Sequence, residues 1–454
     1  MDQDQKKSGA SRRDFLGGTV AGAAALAAIA PSAYAQASGT LKLGLIGCGG
    51  RGTGAMSQAL GADKETQLWA LADAFEDKVV DRAKIFAKRK HEVPKDRQFH
   101  GFDAYKKLID SGVDAVVIAT PPGFRPIHFT YAVQQGKHVF MEKPICVDGR
   151  GARMILDAAK KADDKGLKVG VGLQRHHSVQ YQETVKRIQD GEIGDVVALR
   201  AYWNGKTPWV RGRQAGQTEM QYQMRNWYFF NWLCGDHITE QHIHNLDVCN
   251  WVMDDYPAFA QGMGGRQVRT GKDHGQIFDH HAVEFVYSSK GWDSKDARFD
   301  DAAAPHMFSQ CRHMHGCWRS VSEHVHGSKG YASVNSFRLY DEKGNQKWRW
   351  KPADRRNRPK NPYVQEHIDL FQAIRKGEKY NEAYNGAMSS MTSVLGRMCT
   401  YSGKLIRMTD ALNSKIDVFP YDRVNELDMN AKPPVVPDKN GRYPIPVPGK
   451  TEVV

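Results

Sequence analysis

The sequence predicts an α/β protein of two domains, a doubly wound parallel sheet followed by a strand-richer α+β domain. Three observations carry that expectation. At 454 residues the chain is too long for one ordinary domain. Short apolar strands alternate with amphipathic helices between residues 41 and 173, at the spacing of βαβ units. Beyond Gln174 the strands lengthen, and most of the tryptophans and histidines lie there. Composition agrees, because 41% hydrophobic and 25% charged residues exclude wholesale disorder and collagen-like repeats. The formal charge of +13 invites nucleic acid or an anionic surface as partner, but solvated surface lysines account for it more simply and are the reading adopted.

Residues 1–35 read as an address rather than as fold. Lys6, Lys7, Arg12 and Arg13 form a positive n-region, an Ala- and Gly-rich run follows, and Ala33-Tyr34-Ala35 is a small-x-small cleavage site. Ser11-Arg12-Arg13-Asp14-Phe15-Leu16 resembles the twin-arginine export signal. The apolar run is too short to span a bilayer. The expectation is a periplasmic or otherwise exported protein, starting near Gln36 and free of the membrane once processed.

Residues 41–46 form the first buried strand and 53–60 the helix after it. Strands over 66–72, 114–120, 138–141 and 168–173 follow, with helices over 75–88 and 151–162 between them. They set a first domain at 36–174. A second spans 175–409, with helices over 179–189, 364–376 and 387–405, strands such as 196–203 and 282–287, and a solvated insertion over 290–306. The proline-rich tail, 410–454, is expected to lie extended on a surface or a neighbouring subunit. Seven scattered cysteines permit disulfides without demanding them. Cys311 and Cys317 enclose His313 and His315 but stand further apart than zinc pairs do, which argues against a metal clip.

Gly47-Cys48-Gly49-Gly50-Arg51-Gly52 fits G-x-G-x-x-G between a strand and a helix. The glycines allow a tight turn, close approach of a diphosphate and close helix packing, and the helix N-terminus supplies N–H donors. The second strand leads into Asp73, whose carboxylate can bind the adenosine ribose diol. Ala74 and Phe75 follow, with no arginine to meet a 2′-phosphate, so NAD is expected rather than NADP.

Met141-Glu142-Lys143-Pro144, with Ala119-Thr120-Pro121-Pro122, His128 and Gly136-Lys137-His138-Val139, resembles the Gfo/Idh/MocA family of sugar and inositol oxidoreductases. The resemblance runs to about Leu405 and is strongest in the dinucleotide domain. It implies a Rossmann domain followed by an open, mostly antiparallel sheet. It implies contacts to NAD from Gly47, Gly49, Arg51, Gly52, Asp73, Thr120, Pro121, His128, Glu142 and Gln174, and puts Lys143 beside the nicotinamide and the substrate hydroxyl. An ammonium beside a positively charged ring is disfavoured, which suits a lysine there to proton transfer.

The stretch 234–247 (CGDHITEQHIHNLD) matches the family's D-x-G-x-H-x-x-D with departures. His244 and Asp247 fall on the His and the final Asp, Glu240 takes the first Asp, and His242 replaces the Gly. Glu240 should orient His244 one helical turn away, and His244 should assist Lys143. Arg175, His176 and Asp247 are expected at the substrate, whereas His177 reads equally as a surface residue. His237, Glu240 and His244 at i, i+3 and i+7 could instead hold a divalent metal, but the resemblance already accounts for two of them and no metal is expected. Gly327-Ser328-Lys329-Gly330 looks like the family's G-[ST]-K-G hairpin, and no role is assigned to the histidines at 313, 315, 324 and 326. Residues 347–360 combine charge with Trp348 and Trp350, the look of a single-strand nucleic-acid groove. A hairpin with a basic loop is the reading adopted, and no nucleic-acid partner is expected.

The expected function is NAD-dependent chemistry at a hydroxyl of a carbohydrate or cyclitol, in a homo-oligomer, dimer or tetramer. Free NAD is not expected outside the cytoplasm, so export calls for a tightly held cofactor recycled within the site. Two chemistries meet that condition. One couples oxidation of one sugar to reduction of another. The other is NAD-dependent glycoside hydrolysis by transient oxidation, elimination, water addition and re-reduction. A cofactor-loaded sugar-binding protein is the non-enzymatic alternative, and the presence of both Lys143 and His244 argues against it.

Overall fold

A computed structural model describes residues 39–353 and 359–454. The expected export signal, and residues 354–358 of the basic run, lie outside the described residues.

The first sheet has six parallel strands, β1 (Leu41–Ile46), β2 (Thr66–Asp73), β3 (Gln98–His100), β4 (Ala115–Ile118), β5 (His138–Met141) and β6 (Val169–Val171), in the order β3-β2-β1-β4-β5-β6. β4, β5 and β6 are buried along their whole length, as parallel strands covered by helices on both faces must be. The helices are α1 (Gly50–Ala62), α2 (Glu76–Ala87), α3 (Ala104–Asp110), α4 (Arg125–Gln134) and α5 (Gly149–Asp164). The order reverses between β1 and β4, and a crevice opens there at the carboxyl ends of the strands.

After α6 (Val179–Gln189), a nine-stranded sheet is built from β7 (Val196–Gly205), β8 (Phe259–Gly265), β9 (His280–Val286), β10 (His306–His313), β11 (Ser320–Gly327), β12 (Gly330–Ser333), β13 (Arg338–Asp341), β14 (Gln346–Arg349) and β15 (Ile406–Arg407). The order is β14-β13-β12-β11-β7-β10-β9-β8-β15, antiparallel throughout except where β10 runs parallel to β7. Gly327 pairs with Gly330, so the expected G-S-K-G turn is a two-residue hairpin. Met263, Phe308 and Val321 are exposed on this sheet, and Trp318 is exposed in the connection from β10 to β11. Its other side packs chiefly on α9 (Ile243–Met253) and α11 (Ala383–Ser402), and the remaining helices are α7 (Glu219–Arg225), α8 (Asn231–Cys234), α10 (Pro362–Lys376) and α12 (Met408–Asn413).

Two features depart from the expected organisation, and the tail takes one of the two placements expected for it. α10 leaves the second domain and packs on the first, where Leu370, Phe371 and Ile374 join the core formed by β1, β2 and α1. Residues 290–306 are pinned rather than merely solvated, because Ala297 is buried and Arg407 Nη2 donates to Ser294 O at 2.6 Å. The tail packs on its own chain, burying Phe419, Tyr421, Leu427 and Tyr443 with Phe124, Phe230 and Trp232. All seven cysteines lie among the described residues and are free thiols, so no disulfide forms between them.

Candidate active site

The glycine turn connects β1 to α1. Gly47 has φ +100°, a conformation L side chains rarely adopt, and a Cβ on Gly52 would lie 1.9 Å from Gly47 O. A Cβ on Gly49 or Gly50 would meet nothing within 4 Å, so the turn faces open space where a diphosphate can approach the backbone. Asp73, at the end of β2, accepts from Cys48 N at 2.7 Å and from Phe75 N at 3.0 Å. Burial raises its pKa while those two N–H groups lower it, and the carboxylate is thereby aimed beside the turn. A cavity of about 570 Å³ opens over Gly47, Gly49, Gly52, Asp73, Thr120, Pro121 and His128, bringing seven of the expected cofactor residues together. His128 packs between Tyr105 and Phe124, and burial together with Arg125 pushes its pKa down to about 3, so it is neutral. Open glycine backbone, a helix N-terminus, a diol-binding carboxylate and this volume fit a dinucleotide.

Arg51 also lines the cavity, but its Nε holds Glu142 Oε1 at 2.5 Å and its guanidinium lies over Tyr363. Glu142 is buried, with room made by Gly172, where a Cβ would fall 2.8 Å from its Oε2. Neither Glu142 nor Gln174 lines the cavity; Gln174 Nε2 donates to Tyr363 Oη at 3.1 Å.

Lys143 follows β5 and reaches into the second domain. Its Nζ donates to the Glu240 carbonyl at 2.5 Å and to Glu240 Oε1 at 3.3 Å. His244 lies one step further along the same segment, with its ring stacked on Trp203 at 5.9 Å. Burial, then the charges of Lys143, Arg175 and Arg51, hold the His244 pKa well below its ordinary value, so the imidazole is neutral. The expected Glu240–His244 contact does not form. Residues 238–242 wind as a π-helix, which shifts the i, i+4 register, and His244 Nδ1 has no hydrogen-bond partner among the described residues.

Residues 41–172 match the family model GFO_IDH_MocA, described as "Oxidoreductase family, NAD-binding Rossmann fold". That stretch is similar to the NAD-binding domain of the Gfo/Idh/MocA family. Over part of the chain, the inositol 2-dehydrogenase of Klebsiella pneumoniae (strain 342) is 30% identical, covering 40% of this chain and 47% of that protein. The scyllo-inositol 2-dehydrogenase (NAD(+)) of Bacillus subtilis (strain 168) is 27% identical, covering 36% and 47%. The chain thus spans about half the length of these curated relatives. The whole fold resembles aldose-aldose oxidoreductase from Caulobacter crescentus, with TM-score 0.61 and 16% identity over 81% of this chain and 99% of that one. Scyllo-inositol dehydrogenase from Lactobacillus casei, solved with NAD(H) and scyllo-inositol, gives TM-score 0.57 and 19% identity over 82% and 99%.

Around this Gfo/Idh/MocA-like domain the remaining expected residues are drawn into buried networks. Arg175 donates to His244 O at 3.0 Å and pairs with Glu323. His176 stacks on Trp251 at 4.3 Å, and its Nε2 meets Asp247 Oδ2 at 2.8 Å. Asp247 is fully buried and also accepts from Ser389 and Asn385, which leaves it positioning its neighbours rather than facing a ligand. His177 is not at the surface; it lies between Asp369 at 2.6 Å and Glu382 at 3.1 Å. His237 does not share a face with Glu240 and His244, so the i, i+3, i+7 metal set is not assembled. It meets Asp236 Oδ1 at 2.8 Å in a buried group with His281, where Asp236 also accepts from Phe278 N and Tyr401 Oη. Sequence reasoning missed the aromatic and basic rim of the cavity: Tyr105, Phe102, Lys78 and Arg82 from the first domain, and Trp209, Arg211, Arg225 and Trp227 from the second. The run Trp209-Val210-Arg211-Gly212-Arg213, an indole followed by two arginines at every second position, was the available signal.

Proposed function

We propose that the protein is an NAD-dependent oxidoreductase acting on a hydroxyl of a sugar or cyclitol, with the cofactor held tightly and recycled in place. The observation that carries this reading is Lys143 anchored on Glu240 beside neutral His244, in a chain whose glycine turn opens onto a dinucleotide-sized cavity. Gly47, Gly49, Gly52 and Asp73 would hold the dinucleotide, and when bound it supplies the hydride acceptor. Lys143 Nζ takes the hydroxyl proton of the substrate. Glu240 fixes that nitrogen and balances the charge it gains, and His244, uncharged and with an unpartnered Nδ1 among the described residues, assists by accepting a hydrogen bond from the substrate hydroxyl or the ammonium. The sugar and inositol activities of the relatives support the substrate class.

The test is to add myo-inositol or aldoses to the purified protein and follow reduced nicotinamide by its near-ultraviolet absorbance. Reduction that persists until a second, keto-sugar acceptor is added is the expected result. No reduction by any polyol, in protein that contains NAD, would overturn the reading. Release of an aglycone from a glycoside without net reduction would favour NAD-dependent glycoside hydrolysis, which the same lysine and histidine could serve. Lys143→Ala should lower turnover by about 10²-fold or more, the scale of a general base, while leaving NAD bound. The same reading includes export of the folded, loaded protein through the twin-arginine route and assembly into a dimer or tetramer. Cell fractionation and light scattering test these two points.

A further inference from the structure

The cofactor cavity is lined on one side by residues from outside the dinucleotide-binding domain. Trp209, Arg211, Arg225 and Trp227 come from the segment between β7 and α8, and they meet Asp73, Phe75 and Phe102 at the adenosine end. The cavity does not extend to Lys143. We propose that residues 206–229 form a clasp that closes the adenosine end of the site and makes the dinucleotide non-exchanging. The proposal rests on the NAD-dependent reading above and goes beyond it by assigning cofactor retention to named residues.

Four observations support the clasp. Arg225 reaches back across the domain boundary, with Nη2 at 2.9 Å from Asp77 Oδ1 and its guanidinium 4.1 Å from the Phe75 ring. Trp209 and Trp227 meet edge to face at 6.0 Å on the cavity rim, and Trp209 is 41% exposed, an indole with little cover of its own. Arg211 lies over Trp209 at 5.0 Å, adding a cation to the Lys78 and Arg82 side of a cavity suited to an anionic ligand. The clasp is also braced from behind: Gln223 Nε2 donates to Val435 O at 2.7 Å, Tyr443 Oη donates to Glu219 Oε1 at 2.5 Å, and Asn226 Nδ2 donates to Asp273 O at 2.8 Å. A dehydrogenase that exchanges NAD each turnover must open this end every cycle. A segment pinned at both the tail and the first domain opposes that opening.

Magnitudes rank the parts. A partly exposed ion pair such as Arg225–Asp77 changes an equilibrium by about fivefold at most. Removing an aromatic ring that stacks on a base changes it by roughly five- to 150-fold. The tryptophans should therefore dominate retention. The experiment takes the purified holoprotein, passes it through repeated gel filtration and assays NAD remaining on the protein over time. Trp209→Ala and Trp227→Ala are each expected to release NAD about tenfold faster or more, with Trp318→Ala, at an exposed indole outside the cavity lining, releasing it as slowly as the wild type. If Trp227→Ala unfolds, Trp209→Ala remains decisive, because its side chain is exposed. NAD held by the folded tryptophan variants as long as by the wild type would overturn the clasp and leave the oxidoreductase reading intact. A wild-type protein that neither carries NAD nor takes it up would overturn both.

Discussion

His177 illustrates what a single buried charge does here. Burial works against its protonation, but Glu382 and Asp369 outweigh that penalty and push its pKa up to about 10. An unfolded histidine titrates near about 6.5. The folded state therefore binds the extra proton between these values, and the contribution to stability is complete below about pH 6.5 and lost as pH rises through about 10. His177→Gln leaves two carboxylates facing each other without a cation, which should cost about 3–5 kcal/mol near neutral pH. Urea unfolding of both proteins across that pH range is the measurement. The gap between them should narrow toward pH 10, and a constant gap would mean that His177 is neutral in the folded protein. Lys143 and Glu240 make the complementary point for function. The contact depends on a carbonyl and a carboxylate of one residue, and the π-helical turn brings both to the same nitrogen.

Among the elements, α10 has the most distant effect. Phe371 is 3% exposed and packs with β1, β2 and α1, some three hundred positions earlier in the chain. Phe371→Ala should cost about 3–5 kcal/mol, read by chemical denaturation, and should speed amide exchange in β1 and β2 rather than in the nine-stranded sheet. Exchange that quickens only in the second sheet would contradict this packing. The same helix marks where sequence reading stops. The glycine turn, Asp73 and the alternating strands were legible, because each follows from a local period or from a residue type that one backbone conformation demands. The return of α10 was not, since an amphipathic pattern fixes which face is apolar and not which core receives it. The π turn was hidden for a related reason: residues 238–242 have ordinary helical composition, and tertiary packing sets their hydrogen-bond offset. That offset is why Glu240 faces Lys143 instead of His244.

For the whole molecule, the tail is the part that ties the domains together, and Asp148 is its anchor. This carboxylate caps α5 through Gly151 N at 2.8 Å and also accepts from Val418 N at 2.9 Å, Phe419 N at 3.0 Å and Tyr421 Oη at 3.0 Å. Phe419 then inserts beside Phe124 and Trp232, at ring distances of 5.0 and 5.9 Å, and the chain runs on to brace α7. Asp148→Ala would strand buried donors, each costing about 1–3 kcal/mol when left unsatisfied, so the tail should detach before the sheets unfold. Arg150 also holds the tail, through Asp417 and Asp422, but these pairs are partly exposed and contribute about 0–1 kcal/mol. Limited proteolysis of the intact protein separates the two contributions. Asp148→Ala should yield rapid cleavage within 415–454 and, through the loosened brace on α7, faster loss of NAD. Arg150→Ala should remain protected. Equal protection of both variants would show that apolar packing of Phe419 alone seats the tail, and that the buried carboxylate does not couple the first domain to the cofactor's outer end.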